Sequence, residues 1–353
     1  MLSIAIGKTN ILLVEGERTS FGIQIRKCAK SDLPEDVLDD GFVKKRLELS
    51  NFIQKMIRQG GFTENQVTYI IDSGSILFRR LELPNAEADI PRMARNEIRQ
   101  VVSSPDEYVY DCSIHSQNVG EKVCPVWAYA VPKEMLEGYL QLAQDMHQRL
   151  RAVDLLTNSL EKLLLLASVN AVGPEQARVF VQIEADGLSV HLFADGERAF
   201  SRFVPVTVQE MMILLESHAG NVGGDSFKNQ INKVLADPHI DSIVDRAFKN
   251  YTNRLVEELQ KINLFQRRRN ADNPVTAFFL FGDLARLYGL ADILTDALGL
   301  PTEVIYSISN VQIPKDCDVS EYLCGFGSFI QTERNDWRKI LTRPLERVTV
   351  KRK

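Results

Sequence analysis

At 353 residues, with 44% hydrophobic and 25% charged side chains, the chain has the composition of a soluble globular protein with two or three domains. Disordered, collagen-like and disulfide-scaffold classes are excluded by ample apolar content and by 20 Gly, 13 Pro and 5 Cys. Net charge is −5, and the segment from Asp336 to Lys353 holds seven basic residues against two acidic ones. The remaining body is therefore at −10, which does not suit a nucleic-acid binder. No apolar run reaches the length of a membrane span, and the start Met-Leu-Ser-Ile-Ala-Ile-Gly lacks the basic region of a signal peptide. The cysteines Cys28, Cys112, Cys124, Cys317 and Cys324 are scattered with no C-x-x-C pair, which points to reduced thiols.

In chain order, Ser3–Glu15 and Arg18–Lys27 read as a β-hairpin around the turn-like Glu15-Gly16-Glu17. Apolar spacing over Asp40–Gln59 predicts a helix that Gly60-Gly61 would end. A strand at Gln66–Asp72 follows. The next stretch reads as a strand (Ser75–Leu83), a helix (Glu87–Val102), two strands (Tyr108–Ser116 and Val123–Val131) and a helix (Lys133–Arg149). That β-α-β-β-α order is a compact module of its own. Leu150–Leu156 returns as a strand, Asn158–Val169 as an apolar helix, and Gly173-Pro174 marks a boundary.

The second half restarts the pattern. Three strands are predicted at Ala177–Ile183, Leu188–Phe193 and Arg198–Pro205, with turns at Ala185-Asp186-Gly187 and Ala194-Asp195-Gly196. Helices are predicted at Val208–Ser217, Asp237–Gln266, Asp283–Leu298 and Glu321–Ile330, and strands at Val275–Phe281 and Thr302–Ile305. Each half thus opens on a meander and continues into α/β crossovers, an internal duplication without surviving sequence identity. The expected organisation is a first-lobe core at 1–74 plus 150–172 with an insert at 75–149. A second-lobe core is expected at 173–219 plus 275–335, with a peripheral subdomain at 220–274 and a basic tail at 336–353.

Other chemistry finds no support. The histidines His115, His147, His191, His218 and His239 are dispersed without metal-ligand spacing, so neither a metal nor a catalytic residue is assigned. Val222-Gly223-Gly224-Asp225 reads as a helix start capped by Asp225 rather than a phosphate loop. Arg267-Arg268-Arg269 complements the dipole of the long helix before it.

Several segments carry a family resemblance. Ile4-Ala5-Ile6-Gly7-Lys8-Thr9-Asn10-Ile11 is similar to Ile-Asp-Ile-Gly-Ser-Ser-Ser-Val, and Arg79-Arg80-Leu81-Glu82-Leu83-Pro84 to the Arg-(Arg)-x-Glu-Leu-Pro entry of an inserted subdomain, with Glu97 on the helix that follows. Val179–Gly196 and Phe279–Val304 resemble the second-lobe loops. Together they resemble the type IV pilus assembly PilM family, of the actin-like ATPase superfamily and its cell-division branch. The resemblance implies an α/β, actin-like (ribonuclease H-like) duplicated fold in two lobes, with an inserted β-α-β-β-α subdomain in the first.

An actin-like ATPase holds its nucleotide phosphates between two glycine-containing hairpin loops, with an aspartate on each preceding strand to position Mg²⁺. Here Ala5 and Gln182 stand at those aspartate positions. Gly7 survives, but Lys8 follows it; Glu184 replaces the second-loop glycine and Asp186 adds another carboxylate. Of the adenosine-binding glycines only Gly282 remains, between Phe281 and Asp283, which are expected to fill nucleotide space. The expectation is a pseudo-ATPase with no cofactor, ATP/Mg being disfavoured.

The resemblance further implies a scaffold in the cytoplasm, peripheral to the inner membrane. Its partner would be a bitopic PilN-like inner-membrane protein, whose cytoplasmic peptide binds between the first-half core and the insert. Phe78, Leu81, Leu83 and Ile98 are the candidate groove residues. The assembly ATPase is a further candidate partner, and an anionic membrane a candidate contact for the basic tail. The alternatives are an active ATPase of the same machinery, or the cytoplasmic part of a GspL-like type II secretion protein.

Overall fold

The structure, a computed structural model, describes residues 1–85, 89–114, 122–219, 227–237 and 242–330. It divides into two compact units. The first comprises Met1–Glu17, Lys27–Leu156 and residues 328–330; the second comprises Arg18–Arg26 and Thr157–Gly327.

The chain begins with strands β1 (Leu2–Ile6), β2 (Asn10–Thr19) and β3 (Gly22–Asp32), of which Arg18–Arg26 belongs to the second unit, the two-residue strands β4 (Leu38–Asp39) and β5 (Phe42–Val43), helix α1 (Arg46–Gln59) and β6 (Gln66–Ile71). It continues with β7 (Leu77–Pro84), α2 (Ile90–Arg99), β8 (Tyr108–Ile114), β9 (Val123–Pro132), α3 (Lys133–Asp145) and β10 (Arg149–Leu155). In the main sheet β10, β6, β1, β2 and β3 are successive neighbours. β1 is antiparallel to β2 and parallel to β6, which is parallel to β10. The meander turns at residues 7–9 and 20–21, not at Glu15-Gly16-Glu17. Glu15 lies inside β2 at 2% exposure, and its carboxylate accepts the Thr63 and Glu64 N–H groups at 2.7 and 3.1 Å.

One face of this sheet buries Leu2, Ile4, Ile6, Ile11 and Leu13 with Val67, Tyr69 and Ile71, against Leu49, Ile53 and Met56 of α1. Met135, Tyr139, Leu142 and Ala143 of α3 enter the same core. The last helix of the expected insert therefore packs on the host. The reason is its apolar spacing, which presents one stripe beside α1. The separate core of the insert consists of Leu81, Leu83, Val126, Ala128 and Ala130 from the antiparallel sheet β7-β9-β8, closed by Ile90, Ala94 and Ile98 of α2. The entry and exit of the insert lie side by side: Leu77, where it enters, pairs with Ala130 near the end of β9. Beside the entry, the Asp40 carboxylate accepts the Gly74 N–H (2.8 Å), the Ser75 N–H (2.9 Å) and the Ser75 hydroxyl (2.7 Å).

The second unit runs through α4 (Leu156–Leu164), β11 (Ala177–Glu184), β12 (Gly187–Ala194), β13 (Glu197–Val204), α5 (Gln209–Ala219), α6 (Phe227–Leu235) and α7 (Ser242–Arg269). It then has β14 (Val275–Phe281), α8 (Leu290–Leu298), β15 (Thr302–Val304), β16 (Val311–Gln312) and α9 (Val319–Phe326). The sheet order β13-β12-β11-β14-β15 repeats β3-β2-β1-β6-β10, antiparallel meander first and parallel crossovers after. The duplication read from the sequence is therefore present strand for strand. β16 pairs with Ile23 and Gln24 of β3. Helix α6 begins at Phe227, close behind the helix start expected at Asp225, and the turns after Gly282 delay α8 until Leu290.

Val179, Val181, Leu188, Val190, Phe278 and Leu280 bury one sheet face against α5, α7 and α8. The opposite face carries ring contacts, Phe180 stacking on Phe279 with centroids 5.3 Å apart, and an unusual set of enclosed charges. Arg178 and Arg198 are fully buried, as is Glu161 of α4, which lies 3.6 Å from Arg198. Arg178 donates to the carbonyls of Leu164 (2.5 Å), Ala167 (3.0 Å) and Val172 (3.3 Å). These bonds bind residues 157–172 to β11, so this stretch belongs to the second unit although a change of lobe was expected only at residue 173.

Cys112, Cys124 and Cys324 are not disulfide-bonded. Cys28 and Cys317 are disulfide-bonded, against the expectation of reduced thiols throughout; scattered spacing does not exclude a bond. The Gly-Gly-Asp segment at 222–225, His115, His239 and the basic tail lie outside the described residues.

Burial pushes the Glu161 carboxyl up from 4.5 to about 7, although Arg198 pulls it down. A raised acid binds its proton more readily folded than unfolded, so the stability it supplies is complete below about pH 4.5 and is lost as pH rises to about 7. Glu161→Gln has no such dependence. Its penalty relative to the parent should shrink as pH rises from 5 to 7, by at most about 1.4 kcal/mol per unit. Urea unfolding at several pH values measures this, and a constant penalty would refute the assignment.

Candidate functional site

The first-lobe loop is the turn Gly7-Lys8-Thr9 between β1 and β2, closed by the Gly7 N–H donating to the Asn10 carbonyl at 2.9 Å. Ala5 lies between Leu12 and Ile70 in the sheet and is buried; its methyl group supplies no oxygen for a hydrated cation. Lys8 is exposed on the turn.

In the second unit, Gln182 and Glu184 end β11, and Ala185-Asp186 turns into β12. The Gln182 amide donates to Glu184 Oε1 at 3.1 Å. That oxygen would lie 2.8 Å from a Cβ at Gly282, so Glu184 closes over the loop that follows β14. The loop is fixed by three backbone bonds. Gly282 N–H donates to the Ser320 carbonyl, Leu284 N–H to that of Ile183, and Ala285 N–H to that of Gly282. Gln182, Glu184 and Gly282 are thus brought together, with Asp186 on the adjoining turn. Asp283 belongs to a different neighbourhood. With Glu321, Asp318 and Asp316 it adds to burial in pushing the Tyr322 phenol up to about 12. Phe281 does not stand in nucleotide space: it is fully buried in the sheet, 6.5 Å from the His191 ring.

Gly282 has a reason to persist that needs no nucleotide. Its φ is +93°, and a Cβ would meet the Ile183 carbonyl oxygen, as well as Glu184, at 2.8 Å. His191 is likewise structural: burial holds its imidazole down to about 3, and Nδ1 lies 2.8 Å from the Ser201 hydroxyl.

The groove residues divide by strand alternation. Leu81, Leu83 and Ile98 point into the insert's own core and are buried. Phe78 lies on the other face of the insert sheet and is 39% exposed, in ring contact with Trp127 (5.8 Å) and Tyr129 (6.5 Å) of β9. Asp111 of β8 lies on this face, opposite Tyr129 in the ladder, and is exposed; the charge of Asp154 on the edge strand β10 reaches it. Trp127, Tyr129 and Asp111 were missed in the sequence. The alternation of Cys124, Val126, Ala128 and Ala130 with Pro125, Trp127 and Tyr129 was the available signal, small residues facing α2 and large ones facing away.

Gly282→Ala should lower stability by about 2–4 kcal/mol through a disfavoured φ and the carbonyl clash. Denaturant titration with and without ATP would show the same loss in both. A loss that ATP removes would mean that Gly282 serves the nucleotide.

Comparison with known proteins agrees with this geometry. Residues 3–324 match the family described as type IV pilus assembly protein PilM. Among solved structures the chain is similar to one described as a PilM-PilN type IV pilus biogenesis complex, with a TM-score of 0.72, 18% identity and 98% of each chain covered. It is also similar to the ethanolamine utilization protein EutJ from Carboxydothermus hydrogenoformans, with a TM-score of 0.50, 11% identity, and 93% of this chain and 88% of the other covered. No curated protein matches the sequence. A family match over nearly the whole length, on a duplicated actin-like fold with an insert in its first lobe, means that the chain belongs to the type IV pilus assembly protein PilM family.

Proposed function

We propose that this chain is a non-hydrolysing, actin-like scaffold of a type IV pilus or related secretion machine. It binds the extended cytoplasmic peptide of a PilN-like inner-membrane protein along the insert. The observation that carries this reading is the division of labour between the insert sheet's faces. One face is filled by α2, while on the other Phe78 is exposed against the buried rings of Trp127 and Tyr129. An apolar face of this kind suits an extended segment held by backbone hydrogen bonds and side-chain pockets. The likeness to a PilM-PilN complex supports the choice of partner. The reading places the protein in the cytoplasm at the inner membrane, with the basic tail facing anionic lipid and the assembly ATPase as a second partner.

The absence of hydrolysis is part of the proposal. Ala5 before the first loop and Gln182 before the second bring no carboxylate to either loop, and Glu184 sits against Gly282. Calorimetric titration with ATP and Mg²⁺ should give a dissociation constant weaker than about 10 μM, or about −7 kcal/mol. Tighter binding would overturn this part. Ala5→Asp with Gln182→Asp should not recover binding, because Glu184 remains.

Because Leu77 and Ala130 are paired, residues 77–130 can be excised and the ends joined by a short linker, leaving α3 in the host core. The remainder should unfold cooperatively and lose binding of a PilN-like peptide in fluorescence anisotropy. Full retention of peptide affinity would place the groove elsewhere, and an aggregating remainder would show that the host core needs the insert.

A further inference from the structure

The C-terminal half of α7 has a surface that its packing does not explain. The helix buries Phe248, Tyr251, Leu255, Leu259 and Ile262. Leu264 is two residues beyond Ile262, about 200° around the helix, where an amphipathic helix carries polar side chains. It is nevertheless 48% exposed, and Phe265 beside it is 40% exposed. Phe265 rests one edge on Phe200 of β13, ring centroids 5.4 Å apart, which fixes the pair in an outward-facing position.

Cations surround the two apolar side chains. Lys261 and Arg268 stand one turn before and after them on the same face, Arg267 lies alongside, and Arg202 extends from β13 with half its side chain exposed. The facing acids are few. Glu258 is shared between Lys261 at 2.5 Å and Arg202 at 4.0 Å, and Glu257 is exposed one turn earlier. Asp195 and Glu197 on the neighbouring hairpin are both taken by Arg269, at 2.7 Å each. Arg267 and Arg268 have no ion-pair partner among the described residues. A helix dipole explains cations in the last turn. It does not explain a leucine and a phenylalanine exposed between them.

We propose that this face of α7 lies on an anionic phospholipid surface, with Leu264 and Phe265 entering the headgroup layer and Lys261, Arg267, Arg268 and Arg202 meeting the lipid phosphates. Apolar side chains on a convex helix face, ringed by long cationic ones, match an interface in which stems lie in the apolar boundary and charges reach water. An acidic protein partner would also satisfy the charges, and vesicle binding separates the two. The contact is weak and reversible by itself, since each cation near an anionic leaflet contributes about 1 kcal/mol. It is independent of the peptide groove.

The test is co-sedimentation of the full chain with vesicles of phosphatidylglycerol and phosphatidylethanolamine, against phosphatidylcholine vesicles, at low salt. The expected result is binding to the anionic vesicles only, at least about threefold weaker in Leu264→Ser and in Arg268→Glu, and fading towards a few hundred millimolar salt. Both positions are exposed and outside the core, and unchanged thermal unfolding of the variants would exclude misfolding. Four outcomes overturn the proposal. These are no sedimentation of the parent, parent-like sedimentation of both variants, equal binding to phosphatidylcholine, or loss of an acidic protein partner with vesicle binding unaltered.

Discussion

The second half of the molecule depends on a guanidinium held away from water. Arg178 is enclosed by the sheet, and its donors are spent on the carbonyls of Leu164, Ala167 and Val172. Those carbonyls belong to the end of α4 and the chain beyond it, groups that a helix terminus leaves without internal partners. One side chain thus satisfies several buried acceptors and fixes the segment that leads into β11. Enclosing a charge is tolerable when most of its hydrogen bonds are met, and here both terminal nitrogens are bonded while Nε is not. Nearby, Glu161 of α4 and Arg198 of β13 enclose opposite charges 3.6 Å apart.

The strands were legible because their cause is local. Val275–Phe281 is a β-branched and aromatic run ended by glycine, and β14 has those bounds. The duplicated topology was legible for the same reason, as two series of such runs in the same order. Boundaries failed where tertiary burial overrides a local sign. Glu15-Gly16-Glu17 looks like a turn, yet Glu15 stays in the strand because Thr63 and Glu64 present their N–H groups to it. The ownership of α3 could not be read at all, since an apolar stripe states that a helix is covered but not by which sheet.

The candidate site was legible in its losses and less so in its surfaces. That Ala5 and Gln182 lack carboxylates is a property of composition, and no structure was needed to see it. Whether Phe281 points into open space or into the sheet depends on the parity of its strand, and the parallel register with β11 sends it inward beside His191. Leu81 and Leu83 were misplaced for the same reason. Alternation separates them from Phe78 on the same strand, and only the position of α2 shows which of the two faces is closed.

The pairing of Leu77 with Ala130 also bears on how the chain folds. The parallel neighbours β6 and β10 are separated in sequence by everything from Asp72 to Gln148, and closing so long a loop is entropically slow. The β7–β9 ladder brings Leu77 against Ala130 using contacts internal to the insert. Once that ladder has formed, the effective loop shrinks to the residues before Leu77 and those after Ala130, most of the latter being α3. An insertion that lengthens the chain therefore acts as a short circuit in contact order, and the host sheet closes across it nearly as if the insert were absent.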